Sequence, residues 1–268
     1  MTMPPMLYGT AWKQDQTARL VMQALQAGFQ GIDTACQPKH YNEAQVGEGI
    51  VSSGVARENI FIQTKFTPIA GQDPKRVPYD PSLPLDAQVA MSFKVSQNNL
   101  HVKTIDSYLL HSSMMPMQAL MQIWRAMEKI SDEGGAKQIG LSNCYDIQVL
   151  KRLYDEARVK PSVVQNRFYD ESGYDVEIRK FCKENTIAYQ SFWSLTANPH
   201  VLNSSQLNRA AQKYAKSNEQ IFYRFLIQIG ITPLNGTTSL QHMNEDVDIF
   251  DFSLDSSEVD EISLLLRV

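Results

Sequence analysis

Short apolar runs and amphipathic stretches of helical length alternate eight times along this chain of 268 residues. The apolar runs are Leu7–Trp12, Gly31–Thr34, Ile60–Lys65, Asp106–His111, Gln138–Ser142, Pro161–Gln165, Ile187–Phe192 and Ile231–Leu234. Each is too short for a helix and reads as a strand. The first six are followed by helical patterns at Thr17–Ala27, Glu43–Ser53, Asp86–Leu100, Met117–Ser131, Ile147–Ala157 and Val176–Glu184. The seventh is followed by two, Gln206–Ala215 and Glu219–Ile229. Leu240–Val247 and Ser256–Leu266 close the chain. In the first helical pattern Leu20, Val21, Ala24 and Leu25 share one face, and Gly28 follows where a left-handed cap is favoured. Short connections between strand and helix require parallel strands. Eight such units predict a closed α/β (β/α)8 TIM barrel, one domain over residues 1–268, since a barrel typically takes about 250 residues. An open doubly wound sheet would bind a dinucleotide through GxGxxG after its first strand, and that motif is absent. The one long irregular stretch, Phe66–Pro84, follows a strand and is expected to lie over the face where barrel sites form.

Charge and cysteine usage narrow the function classes. The net charge is -4, and Lys and Arg form no block, so neither nucleic acid nor an anionic membrane surface is an expected partner. No run of 18 apolar residues occurs and the N-terminus shows no signal-peptide pattern, so no membrane association is expected. Cys36, Cys144 and Cys182 are far apart and outside any CxxC pair. That spacing argues for a reducing, cytoplasmic setting and against a disulfide framework or a thiolate metal site. With no exposed apolar stripe, a monomer is the expected state.

In a barrel, chemistry gathers at the C-terminal ends of the strands. Asp33 ends the second strand, Lys65 the third and His111 the fourth. Ser142 and Asn143 end the fifth, Gln165 and Asn166 the sixth, and Phe192 and Trp193 the seventh. Tyr41 lies just beyond the second. Singly, each has an ordinary reading as a helix cap, a solvated amine or a packed ring. Together, an acid, a phenol, an amine and an imidazole on one rim suit proton transfer to a carbonyl oxygen. A nearby ammonium is expected to lower the phenol's pKa, and Asp33 to balance that ammonium. Hydride must come from a cofactor, because no side chain carries one. Cys36, without an adjacent base, reads as a packing residue.

Over nearly its whole length the sequence resembles the aldo-keto reductase family, and a microbial or fungal branch of it. The resemblance is carried, in order, by GFQGIDTA (residues 28–35), HYNEAQVGEGI (40–50), FIQTKF (61–66), IDSYLLHS (105–112), KQIGLSNC (137–144), VVQNRF (163–168), YQSFWSL (189–195) and TPLNGTTSLQHMNED (232–246). It implies an Asp33, Tyr41, Lys65, His111 tetrad that reduces a small-molecule carbonyl substrate with NADPH, or with NADH. Tyr41 would be the acid, tuned by Lys65 and Asp33, with His111 orienting the substrate. Ser142, Asn143 and Gln165 would hydrogen-bond the nicotinamide carboxamide, and Phe192 would stack on its face. Leu195 and Asn198 would cover the pyrophosphate. Asn235, Gly236, Thr237, Thr238 and His242 would meet the 2′-phosphate, and Asp246 the adenine amine.

Three departures from the family pattern stand out. CQPKH separates Ala35 from Tyr41, and counting back without a gap from Asn42-Glu43 puts His40 at the tyrosine position. A longer loop is expected to deliver Tyr41 all the same; the alternative is that Tyr41 packs and the acid is another group. Gly236, Thr237 and His242 stand where the family often carries Lys, Ser and Arg, which removes fixed positive charge. The chain starts almost at the first strand and little follows Leu266, so the hairpin that often plugs the barrel floor is expected to be absent and the pocket open. A cofactor-binding regulator and a non-redox biosynthetic enzyme are the competing functions, since fold alone excludes neither.

Overall fold

The computed structural model describes residues 2–266. Eight strands close on one another: β1 (Leu7–Gly9), β2 (Gly31–Asp33), β3 (Phe61–Phe66), β4 (Ile105–Leu110), β5 (Ala136–Ser142), β6 (Val163–Arg167), β7 (Ala188–Phe192) and β8 (Ile231–Asn235). They pair in sequence order, all parallel, and β8 returns to β1 through Leu7 opposite Leu234. The helices are α1 (Thr17–Ala27), α2 (Glu43–Ser53), α3 (Leu85–Asn99), α4 (Met117–Asp132), α5 (Ile147–Glu156), α6 (Val176–Glu184), α7 (Pro199–Leu202), α8 (Ser205–Tyr214), α9 (Asn218–Gln228), α10 (Leu240–Val247) and α11 (Ser256–Leu265). The (β/α)8 barrel expected from the alternating pattern is the observed fold.

The core is the layer between strands and helices. Leu20, Val21 and Ala24 of α1 and Leu120, Ile123, Trp124 and Met127 of α4 are wholly buried against the outward residues of the sheet. Glycines set the close approaches. Gly28 takes φ 114° to end α1, and Gly47 in α2 sits so near α3 that a Cβ there would lie 2.0 Å from the Asn99 carbonyl oxygen.

Element boundaries agree with the sequence reading to within two residues, with one exception. β1 stops at Gly9 rather than Trp12, because Trp12 (φ 63°) and Gln14 (φ 51°) turn the chain in the left-handed region. The short α7 and the 3-10 turns, including Ile69–Gly71 within the irregular stretch, carry too little periodicity to be foreseen. The floor of the barrel is approached by the short lead-in before β1. Pro4 is buried and reaches the space above Gly31, and the Gln190 amide inside the barrel donates to Met3 Sδ at 3.1 Å. Among the described residues no helix is long and apolar enough to cross a membrane. Residues 267 and 268, the tail beyond Leu266, lie outside the described residues.

Candidate active site

Alternation along each strand decides which residues face the barrel interior. Asp33, Gln63, Lys65, Gln165 and Gln190 all do, and they bond to one another. The Lys65 ammonium is wholly buried and donates to Asp33 Oδ1 (2.8 Å), Asp33 Oδ2 (2.7 Å) and the Thr34 carbonyl (2.8 Å). An ammonium has three N–H donors, so all are engaged. The Asp33 carboxylate also accepts from Gln63 Nε2 (2.7 Å) and Gln165 Nε2 (3.0 Å). Gln190 Oε1 joins the two amides below, accepting from Gln63 (2.7 Å) and Gln165 (2.8 Å). Burial lowers the Lys65 pKa, and the Asp33 charge and hydrogen bonds work against that shift. Gln63 and Gln190 escaped the sequence reading, although two-residue spacing from Lys65 and Phe192 is a signal that would have found them.

Tyr41 is delivered by a braced loop. Cys36 N–H bonds the Lys65 carbonyl (3.2 Å) and Tyr41 N–H the Gln37 carbonyl (3.1 Å). Gln72 Nε2 holds the Cys36 carbonyl (3.0 Å), and Gln37 Nε2 the Gly71 carbonyl (2.8 Å). Asn42 caps α2 by accepting from Gln45 N–H (3.2 Å), and buried Glu43 ties the helix start to Thr64 (2.5 Å) and Asn99 (3.1 Å). The irregular stretch 66–84 therefore supports the tyrosine loop, with Tyr79 OH anchored on the Thr67 carbonyl at 2.8 Å.

The result sets the Tyr41 ring 5.9 Å from His111, edge to face, with Lys65 Nζ 5.6 Å from its centroid. No described residue hydrogen-bonds the Tyr41 hydroxyl, and it is not among the buried unpaired groups. His40, the residue in ungapped register, turns the other way and stacks on Trp12 at 3.7 Å. The expected electrostatics are corrected here. The Lys65 charge is matched by Asp33, and the net shift of the phenol is not the expected lowering. Burial, then the Asp33 charge, push Tyr41 upward. His111 Nδ1 lies 2.6 Å from Thr67 Oγ1, and burial, then Lys65 and His40, push the imidazole down to about 3. It is neutral at ordinary pH. Cys36 is buried and its thiol is pushed up by burial and by Glu43, as befits a packing residue.

The ends of β5, β6 and β7 bring together the residues expected at a carboxamide. Ser142 Oγ donates to the Gln165 carbonyl (2.9 Å), and Asn143 Nδ2 donates to Ser142 Oγ (3.2 Å) and the His111 carbonyl (2.8 Å). Half-buried Phe192 stands next along the rim, and Leu195 packs partly against the core.

Three of the residues expected at the cofactor are bonded within the chain. Asn198 is wholly buried and donates to the Phe168 (2.7 Å) and Ser194 (2.8 Å) carbonyls, so it pins the loop from inside. Asn235 donates to Asp246, and both side chains are buried. Asn235 also accepts from Thr237 N–H at 2.7 Å and so shapes the loop between β8 and α10. Gly236 and Thr238 of that loop and His242 in the first turn of α10 are exposed, and half-buried Thr237 Oγ1 lies 3.4 Å from His242 Nδ1. A cation does lie beside this loop: Lys13, on the loop after β1, donates to the Gly236 carbonyl. Burial lowers its pKa. It went unnoticed because it is 223 residues away in sequence.

A cleft of about 660 Å³ runs beside the tyrosine loop, lined by Trp12, His40, Tyr41 and Arg76 among others. It exceeds the small end of ligand sites, about 300 Å³.

The aldo/keto reductase family model matches residues 5–267. A glyoxal reductase of Bacillus subtilis is 31% identical over 251 residues, covering 94% of this chain and 84% of that one. A crystal structure of an aldo/keto reductase from Brucella melitensis superposes with a TM-score of 0.83 at 31% identity, over 98% of this chain and 95% of the other. A Bombyx mori aldo-keto reductase solved in complex with NADP gives 0.81 at 26% identity, over 98% and 89%.

Proposed function

The chain belongs to the aldo/keto reductase family, and from that premise we propose that it reduces an aldehyde or ketone to the alcohol, with NADPH as preferred reductant and NADH as the alternative. The observation that carries this reading is the meeting of Tyr41, His111 and the Lys65–Asp33 pair at one rim. Bound nicotinamide supplies the hydride. Ser142, Asn143 and Gln165 offer the donors and acceptors that suit its carboxamide, Phe192 a flat ring for its face, and Leu195 part of the covering loop. Gly236, Thr237, Thr238 and His242, with Lys13 beside them, suit the phosphate end.

The residues of the chain then divide the proton chemistry. Tyr41, its pKa raised, stays protonated and gives its hydroxyl proton to the carbonyl oxygen as that oxygen gains charge. His111 is neutral and has one ring N–H. The 2.6 Å contact between Thr67 Oγ1 and Nδ1 accommodates either tautomer; with Thr67 as donor the N–H lies on Nε2, where it can hold the carbonyl oxygen. Lys65, neutralised by Asp33, stabilises the tyrosinate left behind without binding a proton from solvent. The three free, buried cysteines suit work in a reducing cytoplasm.

The test is turnover of aldehydes and ketones, followed by loss of reduced-nicotinamide absorbance. Tyr41→Phe is expected to lower kcat about 100-fold or more, while NADPH still quenches protein fluorescence. Full activity in Tyr41→Phe, lost instead in His40→Gln, would transfer the acid to His40. Cofactor binding without turnover on any carbonyl would favour a regulatory role.

A further inference from the structure

Arg167 is the described arginine that has nothing to hold. Arg19, Arg57, Arg76, Arg125, Arg152, Arg158, Arg179, Arg209 and Arg224 each donate from the guanidinium to a carboxylate, carbonyl, hydroxyl or amide oxygen. Arg167 donates only through its backbone N–H, and its Nε is buried without a partner. No described carboxylate forms an ion pair with it. Leaving such a group partly desolvated and unpaired is costly unless something else supplies the acceptor.

The guanidinium is held in position all the same. Its carbon lies 4.1 Å from the centroid of the Trp193 ring and 5.1 Å from that of Tyr169. Aromatic faces fix the plane of a guanidinium while leaving its N–H edge free. Trp193 takes φ 58°, in the left-handed region where a tryptophan is rarely found, and its side chain is exposed at the end of β7.

The location points to the reaction end of the site. Arg167 is two residues beyond Gln165 on β6, hence on the same inward face, one layer nearer the barrel mouth. Gln165 bonds Asp33, the partner of Lys65. Tyr145 OH accepts from Arg167 N–H (3.0 Å) and donates to Asn143 Oδ1 (3.2 Å), and Asn143 in turn bonds the His111 carbonyl. The phosphate-side loop at Gly236 follows β8, two strands round the barrel, and has its own cation in Lys13. The Lys65 charge is paired with Asp33, whereas Arg167 forms an ion pair with no described carboxylate.

We propose that Arg167, clamped between Trp193 and Tyr169, binds the carboxylate of the substrate, which makes the preferred substrate an oxo acid: an aldehyde or ketone that also carries a carboxylate. This rests on the carbonyl-reductase reading above. A planar guanidinium edge matches a carboxylate in a two-bond fork.

The experiment compares 4-carboxybenzaldehyde with methyl 4-formylbenzoate in wild type, Arg167→Ala and Arg167→Gln, the last keeping the side-chain stem. The ratio of kcat/KM for the acid over the ester is expected to fall about tenfold or more in both variants, as for loss of a charge-assisted pair. A ratio within twofold of wild type overturns the proposal. If in that case the variants instead weaken NADPH binding, the guanidinium serves the cofactor's diphosphate. Calorimetry with benzoate separates this from failure of the reductase reading. If neither aldehyde is turned over, saturable benzoate binding that disappears in Arg167→Ala still supports the anion site, and absence of benzoate binding to wild type overturns it.

Discussion

Replacing Asp33 by Asn strands the Lys65 ammonium inside the barrel. In the native protein that ammonium bonds both carboxylate oxygens and the Thr34 carbonyl, at 0% exposure. Removing one member of a buried, hydrogen-bonded ion pair costs about 3–5 kcal/mol. For a chain of this size 1 kcal/mol is about 2 °C in Tm, so Asp33→Asn is expected to lose roughly 6–10 °C. Lys65→Met leaves the Asp33 carboxylate with two amide donors, Gln63 and Gln165, so its loss should fall at the lower end. The double variant leaves no charge behind. Its loss should be smaller than that of Asp33→Asn alone, a coupling of about 2 kcal/mol or more.

The pH dependence has a fixed sign. Burial already lowers the Lys65 pKa, and losing Asp33 lowers it further. Between the folded and unfolded lysine pKa values the unfolded chain binds more protons, so stability rises with pH there. The Asp33→Asn deficit should therefore shrink as pH climbs from 7 toward the ordinary lysine value of about 10.4. Urea midpoints of the four proteins at pH 7 and 9.5 test both points. Additive losses, or a deficit that grows with pH, would refute the coupled-pair argument.

Because the His111 imidazole is pushed down to about 3, the unfolded state takes up its proton first. Wild type should lose about 2–3 kcal/mol between pH 7 and 4.5 through this group, and His111→Gln should flatten that acid limb in urea unfolding. In Gly47→Ala the new Cβ meets the Asn99 carbonyl oxygen at 2.0 Å and must push α2 off α3. A loss of about 3 kcal/mol in urea unfolding is expected, and an unchanged midpoint would show the helix contact is softer than its geometry. Lys13→Met should weaken NADPH binding about tenfold and NADH binding less. Equal weakening in fluorescence titrations would remove Lys13 from the 2′-phosphate.

The barrel was legible because its signals are local. Period-two runs and helical periodicity belong to single segments, and Gly28 marks the end of α1 on its own. The strand-end positions of Asp33, Lys65 and His111 follow from the same pattern. The tyrosine loop was not legible in this way. His40 and Tyr41 are adjacent, and which one turns inward is decided by the braces from Gln72, by the Gln37 carbonyl and by the Trp12 stack. The inward burial of Asn198 and the mutual pairing of Asn235 with Asp246 also depend on loop paths that no periodicity records.

What the sequence determined by itself is therefore the architecture and the list of chemical groups on one rim, since both follow from local pattern and strand direction. What only the tertiary structure decided is how those groups share their charges and protons. Lys65 finds Asp33 across 32 residues, Gln190 finds Gln63 across 127, and Lys13 finds Gly236 across 223. Such pairings are fixed by strand order, register and barrel closure, which bring distant residues within hydrogen-bond reach and remove the water that would otherwise screen them.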